Sequence, residues 1–252
     1  MRNTNLVLAA LLSVFASGAF AASATQGAGS GPNNVYIEQV GNSNTITIEQ
    51  VGGSNNIGGV DNATPSSTNY ATISGSSNTV TMTQTGDNNL GQYKILGGSN
   101  SYTSTVAGYD NQTKLTIGST NAATNLRNTV TETITGDTNT VVQTIVGNDN
   151  TSSLSITGNR NEVTKEITTS NAGNSVTISG DDNMLYSQQI GAAGSAGHEL
   201  VVGSSGNYNT YSVQQQGTND TTVNIQTTGS HNTVTVRTSN AAIVNPLTAV
   251  AR

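Results

Sequence analysis

The sequence predicts an all-β chain, a β-solenoid of about 22-residue two-strand coils, and three observations carry that prediction. A Gly-x-x-Asn phrase recurs at Gly41, Gly52, Gly75, Gly86, Gly97, Gly108, Gly118, Gly136, Gly147, Gly158, Gly180, Gly206 and Gly229, mostly 10 to 12 residues apart. Between the phrases, residues alternate with period two. Thus 78–86, NTVTMTQTG, puts Asn78, Val80, Met82 and Gln84 on one face and Thr79, Thr81 and Thr83 on the other. Finally, no helical periodicity follows the first twenty residues, and an ordinary globular core is out of reach. Aromatics make up 4% and charged residues 9%, beside 40 Thr and 33 Asn, with no Cys and no Trp.

In chain order, Arg2, the apolar run 6–16 and the small-x-small Ala19-Phe20-Ala21 predict a secretory signal peptide over 1–21. A membrane anchor is the competing reading, but the run is short and no stop-transfer pattern follows. Residues 22–33, ASATQGAGSGPN, show no periodicity and are expected to be a flexible lead-in. Residues 34–240 are assigned to the solenoid. The clearest stretch, 35–56, states its phrase twice, as Ile37, Gln39, Gly41, Asn44 and as Ile48, Gln50, Gly52, Asn55. Longer intervals hold insertions over 56–68, 121–126 and 192–206, and 171–174 and 217–219 read as degenerate copies. Residues 241–252, with Pro246 barring a ladder, form a tail: a cap on the last coil or a docking strand for a neighbour.

Stacked coils would lay like on like. Expected ladder residues are Asn44, Ile46, Ile48 and Gln50; Asn78, Val80, Met82 and Gln84; Asn209, Tyr211, Val213 and Gln215. Stacked Asn and Gln amides satisfy one another along such a column. Gly41, Gly52, Gly86, Gly147 and Gly180 are expected at the corners, where φ is positive. Glu132 and Lys165 fall on the same inner face by alternation, and the coil from Val35 to Val51 reads as an exposed, regular end.

The unit Gln-x-Gly-x-x-Asn closed by a second Gln, as in Gln39-Val40-Gly41-Asn42-Ser43-Asn44 leading to Gln50, resembles the curlin repeat of bacterial curli fibres. Gln84 to Asn89 and Gln215 to Asn219 match more loosely, and Ile95, Val106, Ile134, Ile145 and Ile156 replace the closing Gln in the middle. The resemblance implies a non-enzymatic, extracellular cell-surface subunit that polymerises with itself into amyloid-like fibres for biofilm matrix and adhesion. It admits a nucleator or a related fibre subunit as a further partner.

Other chemistries are disfavoured. With a net charge of −6 and no basic cluster, nucleic acid is not an expected partner, and no later apolar run suits membrane insertion. Turn residues Asp87, Asp110, Asp137, Asp149, Asp181 and Asp182 could in principle hold Ca²⁺, but the nine-residue calcium phrase is missing and solvated turn Asp is the plainer reading. His198 and His231 lack ligand spacing, so no metal, cofactor or catalytic residue is expected. Thr-x-Thr pairs (Thr45 with Thr47, Thr79 with Thr81, Thr129 with Thr131, Thr233 with Thr235) resemble the rows of ice-binding β-solenoids, the main alternative. An adhesive or phage-type shaft is a further one. Exposed Thr is also simply a good strand residue. Glu49, Lys94, Glu162 and Glu166 are expected to interrupt the rows.

Overall fold

The computed structural model describes residues 19–26, 31–60, 69–118, 126–191 and 197–239; for 19–26 the backbone is described. The described chain is all β, with parallel strands stacked into a β-solenoid. One 9-stranded sheet runs β1 (Ala19–Gln26), β4 (Thr45–Gly52), β7 (Thr79–Thr85), β9 (Ser101–Ala107), β11 (Thr129–Thr135), β13 (Thr151–Thr157), β15 (Gly173–Ser179), β17 (Glu199–Ser205) and β19 (Thr222–Gln226). The facing 11-stranded sheet holds β2 (Asn34–Val35), β3 (Ile37–Val40), β5 (Asn56–Gly58), β6 (Ala71–Ser74), β8 (Leu90–Leu96) and β10 (Gln112–Ile117). It continues with β12 (Thr140–Val146), β14 (Glu162–Thr168), β16 (Met184–Gly191), β18 (Thr210–Gly217) and β20 (Thr233–Ser239). We call these the first and second sheets. Consecutive 11-residue units alternate between them, so like meets like two units on.

Register survives the insertions. Thr79 pairs with Ser101 at the plain 22-residue offset. Thr45 with Thr79, Ser101 with Thr129, and Gly173 with Glu199 absorb extra chain without a slip. A one-residue slip would turn every inward side chain outward, so the buried face enforces the pairing. The longest insertion leaves from within one rung: β5 and β6 both pair with the unbroken β8. Residues 61–68, 119–125 and 192–196 lie outside the described set.

Alternation decides burial. In β11 the pattern is strictly exposed–buried, with Val130, Glu132 and Ile134 inward and Thr129, Thr131, Thr133 and Thr135 outward. The core is a thin layer in which each coil contributes a few side chains, such as Ile46, Ile48, Ile57 and Ile73 at one end and Leu200, Val202 and Val213 at the other. Each full burial of such a side chain stabilises by roughly 1.5–3 kcal/mol. Gly91 leaves room for the ring of Tyr93, because a Cβ there would lie 2.5 Å from it. Tyr93 in turn packs on Tyr102 with centroids 5.3 Å apart.

Several expectations need correction. The lead-in is not uniformly irregular: β1 pairs with β4 over its whole length, from Ala19 against Thr45 to Gln26 against Gly52. The outer edge of β4 offers N–H and C=O groups to a further strand, and the Pro-free run AFAASATQ can lie against them. The coil beginning at Val35 is therefore not outermost on the first sheet, and the expected cleavage point after Ala21 falls inside β1. The insertion assigned to 192–206 is shorter, because 199–205 is β17. The degenerate copy at 171–174 is read two residues late: Asn171 takes the left-handed turn position and Ala172 the ladder position. The first part of the signal segment and the tail at 241–252 lie outside the described residues.

Candidate functional site

The arcs joining the two sheets build the feature on which any self-association would depend. In most arcs the glycine has positive φ, the residue two later is left-handed, and an asparagine turns inward. Gly52 shows why no other residue serves. Its φ is 115°, and a Cβ would meet the carbonyl oxygen of Gly86 at 1.9 Å. Gly41, Gly86, Gly147 and Gly180 share the positive φ. The left-handed position is more permissive, taking Ser43, Asn88, Asp110, Thr138, Arg160 and Tyr208 among others.

The inward asparagines form two columns. One runs Asn33, Asn55, Asn89, Asn111, Asn139, Asn161, Asn183, Asn209 and Asn232 without a break. A typical member, Asn139, donates its backbone N–H and Nδ2 to Asn111 Oδ1 at 3.0 and 3.1 Å, and its Nδ2 also reaches Gly158 O at 2.8 Å. Asn139 Oδ1 then accepts the same two bonds from Asn161. The other column runs Asn44, Asn78, Asn100, Asn128 and Asn150, after which Ala172 and His198 replace the amide. Buried His198 bonds Thr221 Oγ1 and Ile190 O instead. Asn121 lies outside the described residues, and Asn128 supplies its rung.

All twelve ladder residues named from the sequence are buried. The structure brings Ile46, Ile48 and Gln50 against Val80, Met82 and Gln84 in adjacent rungs, whereas Asn209, Tyr211, Val213 and Gln215 belong to the other sheet near the far end. On the first sheet Gln50 Nε2 donates to Gln84 Oε1 at 2.8 Å, and Val106, Ile134, Ile156 and Ile178 continue that column; on the second sheet Ile95, Ile117, Ile145 and Ile167 lead to Gln189, whose Nε2 donates to Gln215 Oε1 at 3.0 Å. Gln50 Oε1 is buried without a partner, and its register neighbour in β1 is Ala24, which has no amide to offer. At the opposite end, no strand among the described residues pairs with the outer edges of β19 and β20, and Val234 and Val236 are half-buried.

Inside the stack sits a polar chain the sequence only hinted at. Glu132 accepts from Ser104 Oγ at 2.9 Å and from Gln143 Nε2 at 2.8 Å; Ser152 Oγ donates to Gln143 Oε1; Lys165 Nζ donates to Ser152 Oγ at 2.7 Å. Anion and cation are thus linked through an amide and a hydroxyl. Burial pushes the Glu132 carboxyl up, against the donors that favour its charge. Burial likewise holds the Lys165 ammonium down to about 7, with Glu132 opposing. Desolvation and Glu132 together push Tyr93 up to about 12 and raise Tyr102 as well. The chain is sealed from solvent, so it is a structural network.

The turn carboxylates are employed within the fold. Asp87, Asp137 and Asp181 accept backbone N–H groups of Gly53, Tyr109 and Asn159 in the preceding coil. Asp149 and Asp182 pair with Arg127 and Arg160. Among the described residues no three His, Asp or Glu side chains gather as a metal site.

The two outer faces differ, and one expectation about them is wrong. Lys94, Glu162 and Glu166 belong to β8 and β14 on the second sheet, and Glu49 lies in β4. Lys94, Glu162 and Glu166 leave the Thr rows of β7 through β15 unbroken, because alternate units go to opposite sheets, whereas Glu49, in register with Thr83, ends one of those rows at β4 as expected. The chain matches no family model, no curated protein and no solved structure. Its own geometry therefore carries the functional reading.

Proposed function

We propose that this chain is a secreted, non-enzymatic structural subunit that stacks end to end with copies of itself into amyloid-like extracellular fibres of the curli type. Matrix formation and adhesion are the corresponding roles. One observation supports the reading above others: among the described residues the parallel rungs and the Asn33–Asn232 column repeat in register and do not close on themselves. A parallel ladder ending on β20 presents the same donors and acceptors that every internal rung presents to its neighbour. Half-buried Val234 and Val236 fit an incomplete end. A nucleator or related subunit would add its own rung in the same way.

The test is electron microscopy and dye binding of the purified chain after standing in buffer, beside Val234→Asp/Val236→Asp and the outward control Thr235→Asp. Fibres from the parent and control, with a long delay in the double variant, support stacking through this end. A parent chain that stays monomeric at high concentration overturns it. Stacking leaves the flank of the rod unused.

A further inference from the structure

The flank of the first sheet carries an array that end-to-end stacking does not require. From β7 to β15 the outward positions fall into four columns. Two inner ones read Thr81, Thr103, Thr131, Ser153, Ser175 and Thr83, Thr105, Thr133, Ser155, Thr177. The outer columns are Thr79, Ser101, Thr129, Thr151, Gly173 and Thr85, Ala107, Thr135, Thr157, Ser179. Only Ala107 and Gly173, at the margins, lack a hydroxyl, and no member is charged. The face stands in solvent: all four outward Thr of β11 are exposed. Charges bound it on either side, Glu49 in β4 and Glu199 in β17. The second sheet has no such patch, since Lys94, Lys114, Glu162 and Glu166 are spread over its outward positions.

We infer that this Thr/Ser face binds an ice surface. Rungs set the hydroxyls about 4.8 Å apart along the axis, and the array measures about 19 by 20 Å. In a tetrahedral water network with O–H···O bonds of about 2.75 Å, second-neighbour oxygens lie about 4.5 Å apart. The axial rows therefore match within about 0.3 Å per step, about 1.2 Å over the four steps. Along the strands the interval is about 6.7 Å, so the axial rows carry the fit. Threonine suits the task because its β-branch restricts χ1, so little freedom is lost when a lattice forms on it. Its methyl group adds apolar surface between the hydroxyls. Sheet twist would spoil the match, and stacked coils with side-chain ladders are the setting in which sheets flatten. Other occupants fit worse. A peptide adding as a strand needs an edge, not a face, and a charged polymer needs complementary charge, absent here.

The test uses the full chain: thermal hysteresis and uptake of labelled protein into a growing ice hemisphere, with Thr131→Tyr at the centre of the array and Thr144→Tyr on the second sheet as control. Expected are hysteresis and uptake for the parent and control, and loss of both for Thr131→Tyr with its circular dichroism and fibre formation unchanged. Thr133→Lys reads the same face should Thr131→Tyr misfold. No hysteresis in the parent, or hysteresis untouched by both central variants, overturns the inference. So does a lateral dimer that Thr131→Tyr dissolves while the parent shows no ice activity, because the face would then be a self-contact. Fibre formation is read separately, so failure here leaves stacking standing and the reverse.

Discussion

Asn139→Ala is the sharpest probe of the ladder. The side chain makes four hydrogen bonds, two donated by Nδ2 to Asn111 Oδ1 and Gly158 O, and two accepted by Oδ1 from Asn161. Truncation leaves the Asn161 backbone N–H and the Gly158 carbonyl without these partners in a dry interior. Asn161 Nδ2 keeps Gly180 O. At about 1–3 kcal/mol for each of these two orphaned groups, the loss should be about 2–6 kcal/mol. Asn232→Ala at the end of the column removes only the Nδ2 bond to Asn209 Oδ1, at a half-buried site, and should cost about 1 kcal/mol or less. Guanidinium unfolding of freshly prepared monomer, followed by circular dichroism, measures both. Equal costs for the two variants, or less than about 1 kcal/mol for Asn139→Ala, would refute the claim that the column holds the coils together.

Further perturbations follow from the same geometry. Ile46→Asp with Ile48→Asp should slow fibre formation far more than Thr45→Asp with Thr47→Asp, since only the first pair is interior; equal delays in a dye-binding time course reject the facing. Gly52→Ala should lower the unfolding free energy by roughly 1–3 kcal/mol in strain alone, before any clash with Gly86 O, read as a lower denaturant midpoint. Thr138→Asn should do the opposite, stabilising by about 1 kcal/mol, because a β-branched residue is poorly suited to φ of 59° and Asn tolerates it. Lys165 gives a pH dependence whose sign is fixed. Its ammonium is held down to about 7 when folded against 10.5 unfolded, so the unfolded chain binds the extra proton between those values and stability rises with pH there. Below pH 7 both states are charged and the burial cost is present in full. Glu132, raised when folded, gives the opposite slope at lower pH, and the raised tyrosines oppose it again above pH 10. Unfolding midpoints between pH 7 and pH 10 should thus rise in the parent and stay flat in Lys165→Met. A flat parent profile would contradict the buried-ammonium picture.

Much of the fold is legible because a solenoid writes its geometry into a period. Gly-x-x-Asn marks each corner, and alternation alone points Glu132 and Lys165 inward, where both are buried. What escaped has physical reasons. β1 reads AFAASATQ, in which Ala and Ser occupy both alternating sets and leave no period-two pattern, and only the edge of β4 reveals that it pairs. β17 reads ELVVGSS, whose Gly and Ser imitate a loop. The partners of Glu132 and Lys165 come from three other strands, brought together by a register that depends on where insertions leave the stack. Continuity of the Thr rows was accessible in principle. An 11-residue unit in a 22-residue coil sends alternate units to opposite sheets, which removes Lys94, Glu162 and Glu166 from the threonine face.

The most direct measurement is fibre diffraction, with electron microscopy, on the purified chain after it has stood in buffer. The account predicts unbranched filaments one solenoid wide and a strong meridional reflection near 4.8 Å, the rung spacing carried unbroken from one copy into the next. Monodisperse particles with no filaments, or filaments whose meridian lacks that reflection, would contradict it.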